Sequence, residues 1–190
     1  SLHPDFAAGH ALRRERSCLP LADAPEVVEP LWRGLAVRAE AMGWRVPVPP
    51  PPGDPAELRL RVGGRVLAAI ARSGEAHMFL LPAGTREVRL VSPSAIPADL
   101  RPWLIDERRL GVMLSGIALH GAGPPAPALD DPALIEGWWA PEWHAGALRR
   151  WTDGDARLPL PPRVGATLLA IGVAGAAAAP AAGAARRAVA

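Results

Sequence analysis

The chain has 190 residues, of which 49% are hydrophobic and 21% are charged, and this composition excludes an intrinsically disordered protein. Its formal net charge is only +2, and its 21 basic residues are all arginines scattered among acids, which argues against a nucleic-acid-binding protein. A single cysteine, Cys18, excludes an internal disulfide, so we expect one main domain stabilised by its hydrophobic core.

The first predicted element is an amphipathic helix over residues 26–43. Pro30 is placed in its first turn, and Gly43 provides its stop. Apolar residues recur at three- and four-residue spacing and form one stripe: Val28, Leu31, Trp32, Leu35, Ala39 and Met42. We therefore assign residues 1–46 to an N-terminal helical segment that packs on the main domain, and residues 47–55 to a proline-rich connector.

Short alternating apolar runs replace the helical period after the connector. Residues 58–62 and 65–70 flank Gly63-Gly64, which predicts a β-hairpin. Further predicted strands cover residues 77–81, 86–92, 110–119, 147–152, 156–160 and 166–173. This spacing is typical of antiparallel sandwiches and barrels.

The predicted fold is mainly β, an antiparallel β-sandwich of jelly-roll-like type with one N-terminal amphipathic α-helix. The sandwich is expected over residues 56–174, and a flexible alanine-rich tail over residues 175–190. Alanine and glycine gain too little from lipid to hold a membrane span, so we expect none.

Asp153-Gly154 is a strong two-residue turn signal, and it predicts that residues 147–152 and 156–160 pair as a hairpin. Alternation along the first of these strands separates the side chains of Arg150 and Trp151. We expect Trp151 in the core and Arg150 paired with Glu142, and an irregular loop over residues 138–146.

Catalytic and metal-binding residue types are sparse. His144 lies two residues from Glu142, but no second ligand pair accompanies it at metal-site spacing. Gly63-Gly64 lacks the context of a phosphate-binding loop, and Cys18 has no identifiable base. The sequence therefore predicts no metal, no cofactor and no catalytic centre.

Two motifs dominate the second half of the chain. In the first, an acid and two arginines lead into an apolar strand, and we expect Asp106 or Glu107 to pair with an arginine and fix this loop against the sheet. The first motif consists of Asp106, Arg108, Arg109, Leu110, Gly111 and Val112. The second motif consists of Gly137, Trp138, Glu142, Arg150, Trp151, Thr152, Asp153 and Gly154.

These motifs resemble the region downstream of the Hint module in bacterial hedgehog/intein-domain proteins, and the resemblance runs from about residue 3 to residue 173. Hint autoprocessing uses a Cys or Ser at the start of the module and a Thr-x-x-His block, and neither element is recognisable here. The resemblance implies a companion domain that is covalently continuous with an upstream Hint module. Related domains that contain an Arg-Trp-Thr motif suggest a glycan or surface-protein partner, at the cell surface or secreted.

Three functional hypotheses follow from the sequence. In the first, a non-catalytic domain binds a carbohydrate or surface partner, with Trp139 and Trp143 stacking on the ligand and Glu142 and Arg150 binding its polar groups. In the second, the tryptophans form core and the domain is structural, with a homodimer through a sheet edge or the helix stripe. An enzyme is the third hypothesis, for which no nucleophile and base are identifiable.

Overall fold

The computed structural model describes residues 24–46 and 54–177. The predictions for Cys18 and for the tail beyond residue 177 lie outside the described residues, as does most of the predicted connector. The described residues fall into two compact units, one with residues 24–46 and 102–104 and the other with residues 54–101 and 105–177.

The first unit contains helix α1, Pro25–Ala41, which confirms the predicted helix. It begins at Pro25, so Pro30 lies inside the helix and not in its first turn as predicted, and Gly43 follows the helix at φ 87°. The predicted stripe is only partly covered. Val28, Trp32 and Ala39 are half-buried, whereas Leu31 and Leu35 expose 63% and 65% of their surface and Met42 is also exposed.

Trp103 is buried in this unit. Its ring lies 5.1 Å from that of Trp32, at an interplanar angle of 56°. The Arg33 guanidinium lies 5.3 Å from the centre of the Trp103 ring. A tilted aromatic pair with a cation over one ring is a favourable arrangement, so Trp103 anchors the half-buried side of α1.

The second unit is mainly β and contains two antiparallel sheets. Its described strands are β1 Arg59–Val62, β2 Arg65–Leu67, β3 Ala71–Ser73, β4 Ala76–Leu81, β5 Glu87–Val91, β6 Val112–His120, β7 Trp138–His144, β8 Ala147–Thr152, β9 Asp155–Pro159 and β10 Thr167–Ala176. Two short helical segments accompany them, a 3-10 turn Pro55–Glu57 and helix α2, Pro97–Leu100. The four-stranded sheet has the order β2-β1-β5-β9, and the six-stranded sheet has the order β3-β4-β10-β6-β8-β7.

Inward-facing side chains from both sheets form one hydrophobic core, which confirms the predicted β-sandwich. The four-stranded sheet contributes Leu60, Val88, Leu90 and Leu158, joined by Leu58 directly before β1, and the six-stranded sheet contributes Phe79, Leu81, Leu114, Leu169 and Ile171. Burying each such side chain contributes roughly 1.5–3 kcal/mol. In β5 and β10 the alternation of apolar residues in the sequence matches the alternation of buried and more exposed side chains.

His77 is the buried histidine among these inward positions. It lies opposite Ile171 in the β4–β10 ladder and exposes only 4% of its surface. Its Nδ1 atom has no hydrogen-bond partner within residues 24–46 and 54–177. Burial lowers the pKa of His77, and the nearby Arg72 lowers it further, so the imidazole is held neutral.

The predicted hairpin at Asp153-Gly154 is wrong. β8 pairs with β6 and β7 in the six-stranded sheet, whereas β9 pairs with β5 in the other sheet. Gly154 has φ 107°, but a Cβ there would lie 2.8 Å from Ser94. Gly154 is therefore required because it packs closely against Ser94 where the chain passes from one sheet to the other, and not because it forms a hairpin turn.

The loop predicted over residues 138–146 is also wrong, because most of it forms β7. This strand lies at the edge of its sheet, where Pro141 needs no ladder hydrogen bond. A register shift between Trp138 and Pro141 breaks the alternation that would have predicted a strand. Ala145 and Gly146, with φ 49° and 78°, join β7 to β8.

The last strand, β10, continues to Ala176, beyond both the predicted strand end at Val173 and the predicted start of the tail. Gly175 and Ala176 pair there with the first residues of β6. Among the described residues, no helix is both long enough and apolar enough to cross a membrane.

Candidate functional site

The β7–β8 hairpin carries most of the residues predicted to bind a ligand. It lies at one edge of the six-stranded sheet, and no described strand pairs with the other side of β7. β8 pairs with β6 only through Arg150 and Trp151. Residues 141–149, which we call the arm, therefore extend past the part of the hairpin that is held by β6.

An ion-paired cluster lies on one face of this hairpin. Arg108 donates to Asp106 at 2.7 Å and also donates to the Oε1 atom of Glu142. The other oxygen of Glu142 lies 3.0 Å from Nε2 of His144. This confirms the prediction that an acid of the Asp106 motif pairs with an arginine, and it links that motif to β7.

The cluster fixes the ionisation of its acids. The hydrogen bond from Arg108 lowers the pKa of Asp106 and raises that of Arg108 itself. Burial on its own would raise the pKa of Glu142, but hydrogen bonds from Arg108 and His144 outweigh it and the pKa is lowered. Both carboxylates are therefore charged at neutral pH.

Trp139 belongs to the same cluster and is half-buried. Its indole N–H donates to the backbone carbonyl of Arg109 at 2.8 Å. The Arg108 guanidinium lies 5.6 Å from the centre of its ring. Trp139 is therefore held by hydrogen bonding and by a cation on its ring, and less of its surface is free for a ligand than the sequence-based prediction assumed.

The predicted ion pair between Arg150 and Glu142 is wrong. Pro141 lies opposite Arg150 in the ladder, so Glu142, the next residue along β7, points to the other face. Arg150 is 8% exposed, and it donates to the carbonyls of Trp139, Leu129 and Leu134 at 2.6, 2.7 and 2.7 Å. This side chain organises the backbone and is not accessible to a ligand.

Burial lowers the pKa of Arg150, which marks the cost of placing its charge inside the protein. Its guanidinium also lies 5.7 Å from the centre of the buried Trp138 ring. Trp138 donates from Nε1 to the carbonyl of Arg157 at 2.7 Å and belongs to the core. The buried indole of the motif is thus Trp138.

Trp151 was predicted in the core, and this prediction is wrong. Arg150 and Thr152 occupy the inward positions of β8, so alternation places Trp151 on the outer face, where it is half-buried opposite Met113. Thr152 is fully buried, and its hydroxyl bonds both the N–H and the carbonyl of Val112. The polar side chains therefore take the core positions because each finds backbone partners there.

Trp143 is the most exposed side chain of the predicted set, with 74% of its surface accessible. It lies opposite Leu148 in the arm, and alternation places it on the face opposite to Glu142 and His144. The four predicted ligand-binding residues are thus divided. Trp139 and Glu142 share one face, Trp143 lies on the other, and Arg150 is buried.

Sequence reasoning missed Arg149. It lies directly opposite Glu142 in the β7–β8 ladder, on the outer face with Trp151. Both carboxylate oxygens of Glu142 already have partners, and Arg149 makes no hydrogen bond or ion pair with any described residue. Strand alternation separates Arg149 from Arg150, but the expectation of Trp151 in the core placed Arg149 on the inward face with it.

The motif glycines and the remaining motif residues have structural roles. Gly137 has φ 79°, and a Cβ there would lie 2.5 Å from the Cα of Ala156. Asp153 accepts a hydrogen bond from the N–H of Asp155 at 2.8 Å. Arg109 is exposed, and its side chain makes one long contact of 3.5 Å to Ser94. Gly137 and Asp153, both of the second motif, thus contact the segment in which the chain passes from one sheet to the other.

In the described part of the chain, no three His, Cys, Asp or Glu side chains are grouped so that they could hold a metal ion. The chain matches no protein-family model, no curated protein and no solved structure.

Proposed function

We propose that the chain is a non-catalytic companion domain of a Hint-type protein and that its β7–β8 hairpin binds a carbohydrate. The observation that carries the proposal is the exposure of Trp143, which places 74% of an indole in solvent on an edge strand. An indole in this position contributes little to the core, but it offers a flat apolar face that suits a sugar ring.

The edge position of β7 lets one ligand reach both faces of the strand. Because none of the described strands pairs with its outer side, a chain-like ligand lying along that edge meets Trp143 on one face and Glu142 with His144 on the other. A carboxylate and an imidazole provide acceptors and donors for hydroxyl groups. Stacking and hydrogen bonding are then supplied by adjacent residues of one hairpin.

The Hint relationship rests on the two motifs, and the contacts between them support a joint role. Arg108 of the first motif bonds Glu142 of the second, and the carbonyl of Arg109 accepts from Trp139. Sequencing of the DNA that precedes the codon for Ser1 tests this part. We expect a module that begins with Cys or Ser and contains a Thr-x-x-His block, and an unrelated upstream sequence would contradict it.

The carbohydrate proposal is tested by screening the chain on a glycan array and titrating the bound glycans by tryptophan fluorescence. Substitution Trp143→Ala should weaken binding about tenfold, because a stacked aromatic contributes about 1 kcal/mol or somewhat more. Trp44→Ala is the matched control, since Trp44 is 69% exposed but belongs to the first unit. Absence of any bound glycan, or equal affinity for the wild type and Trp143→Ala, would refute this role.

A structural role through self-association is a second candidate, favoured by the exposed apolar side chains of α1. Leu31 and Leu35 lie one helical turn apart and are both largely exposed. An exposed apolar helix face commonly marks an interaction surface. Light scattering at high protein concentration should then report a dimer that Leu31→Glu converts to a monomer, whereas a wild-type monomer would exclude this candidate.

A further inference from the structure

We infer that the carbohydrate bound by the hairpin is acidic and that Arg149 recognises its negatively charged group. This inference rests on the proposed carbohydrate-binding function and specifies its ligand. Arg149 is a half-buried arginine on the outer face of β8 that has no partner among the described residues.

The absence of a pair between Arg149 and Glu142 is the central observation. Residues directly opposite each other in an antiparallel ladder have Cβ atoms about 5 Å apart, so an Arg–Glu pair would form readily there. Glu142 instead uses one oxygen for Arg108 and the other for His144. The carboxylate directly opposite Arg149 is thereby occupied, and the guanidinium keeps its donors for another anion.

The chemistry of the free group points to a carboxylate or a sulfate. A guanidinium presents N–H donors in a planar fork that matches two oxygens of such an anion. Being half-buried, Arg149 is screened less by water than a fully exposed arginine. The ligand anion therefore gains more from this residue than from an arginine that is freely solvated.

The surroundings of Arg149 suit a sugar that carries the anion. Trp151 lies two residues along β8 on the same face, about 7 Å away along the strand, and is half-buried. His144 and Glu142 lie on the same face of the neighbouring strand. An aromatic surface, hydroxyl-binding groups and a cation that no described residue pairs with are thus present together, which fits an acidic polysaccharide better than a neutral one.

The inference is tested by titrating the full chain with polygalacturonate and with its neutral methyl ester, which share one backbone and differ in charge. Dextran sulfate and neutral dextran form a second matched pair that distinguishes a sulfate from a carboxylate. We expect binding of at least one acidic member, weakening with added salt, and a loss of about 10- to 100-fold in Arg149→Met, as expected for charged hydrogen bonds.

Arg65→Met is the matched control, because Arg65 is an exposed arginine of the other sheet with no partner among the described residues. Equal loss in both variants would indicate general charge attraction and would overturn the inference. Binding of single-stranded DNA as tightly as the acidic polysaccharide would overturn it as well. Neither variant removes a described contact, so both should fold.

The outcomes separate this inference from the proposed function. If the neutral polysaccharides bind as tightly as the acidic ones and binding depends on Trp143 but not on Arg149, the acidic specificity is wrong and carbohydrate binding stands. If acidic polysaccharides bind through Arg149 but not through Trp143, the inference stands and the role of Trp143 is wrong. If no carbohydrate binds, both are wrong.

Discussion

Substitution Arg150→Met should destabilise the protein strongly, because Arg150 joins three backbone carbonyls at 2.6–2.7 Å inside the protein. Hydrogen bonds to a charged group contribute about 1.5–3 kcal/mol each, or roughly 5–9 kcal/mol for three. Release of the buried charge and the apolar packing of methionine offset part of this loss. We expect the free energy of unfolding to fall by about 3 kcal/mol, out of the roughly 5–15 kcal/mol typical of a domain.

Urea unfolding followed by tryptophan fluorescence measures this effect on the purified chain. Arg149→Met is the matched control, since it makes the same chemical change at the neighbouring residue and removes no described contact, so we expect a change within about 0.5 kcal/mol. Arg150→Lys keeps the charge without the planar fork and should fall between the two. Equal unfolding midpoints for the two methionine variants would refute the structural role assigned to Arg150.

Three further stability predictions use the same assay. Gly137→Ala should lower the free energy of unfolding by about 3 kcal/mol, because the added Cβ would lie 2.5 Å from the β9 backbone. Gly146→Ala is the control, since Gly146 has nearly the same φ but open space around it, and should lower that free energy by only about 1 kcal/mol. Equal losses in the two variants would contradict the packing argument. Thr152→Val should lose about 2 kcal/mol, since two buried hydrogen bonds to Val112 disappear, and an unchanged midpoint would contradict it. The pKa of His77 is lowered from 6.5, so the unfolded chain binds the proton more readily than the folded one, and stability should fall as the pH drops below about 6.5. His77→Leu should abolish that fall. A wild type that is equally stable at pH 5 and pH 7 would refute the prediction.

Strand alternation and helical spacing predicted much of the architecture. The runs around Leu60, Val88, Leu114 and Leu169 alternate because each faces a common core, and all of them lie in observed strands. The helix was also predicted from spacing. Spacing did not predict how much of the apolar face of the helix is buried, because periodicity identifies such a face without identifying what packs on it. Leu31 lies on that face and is exposed.

The errors concern pairings between distant segments. Asp153-Gly154 matches a hairpin turn locally, but Gly154 packs against Ser94, which lies far away in the sequence. No two-residue signal specifies to which sheet the next strand belongs. β7 was missed because it includes a proline and a register shift, both of which an edge strand accommodates.

The candidate site was predicted in composition but not in arrangement. Glu142 was expected to bind an arginine and does so, but the arginine is Arg108, which precedes it by 34 residues. The sequence places Arg149 and Arg150 on opposite faces without indicating which face is inward. Arg150 faces inward because the carbonyls of Leu129 and Leu134, in the segment before β7, accept hydrogen bonds from its buried guanidinium.

The change of sheet between Thr152 and Asp155 has a consequence for how the chain folds. A hairpin at this point would form from neighbouring residues alone, whereas here Thr152 contacts Val112, 40 residues away, and Asp155 contacts Arg61, 94 residues away. Contacts between such distant residues require large loops to close before they stabilise anything. We therefore expect refolding on the millisecond-to-second scale, with both sheets assembling in one step around the short link that joins them.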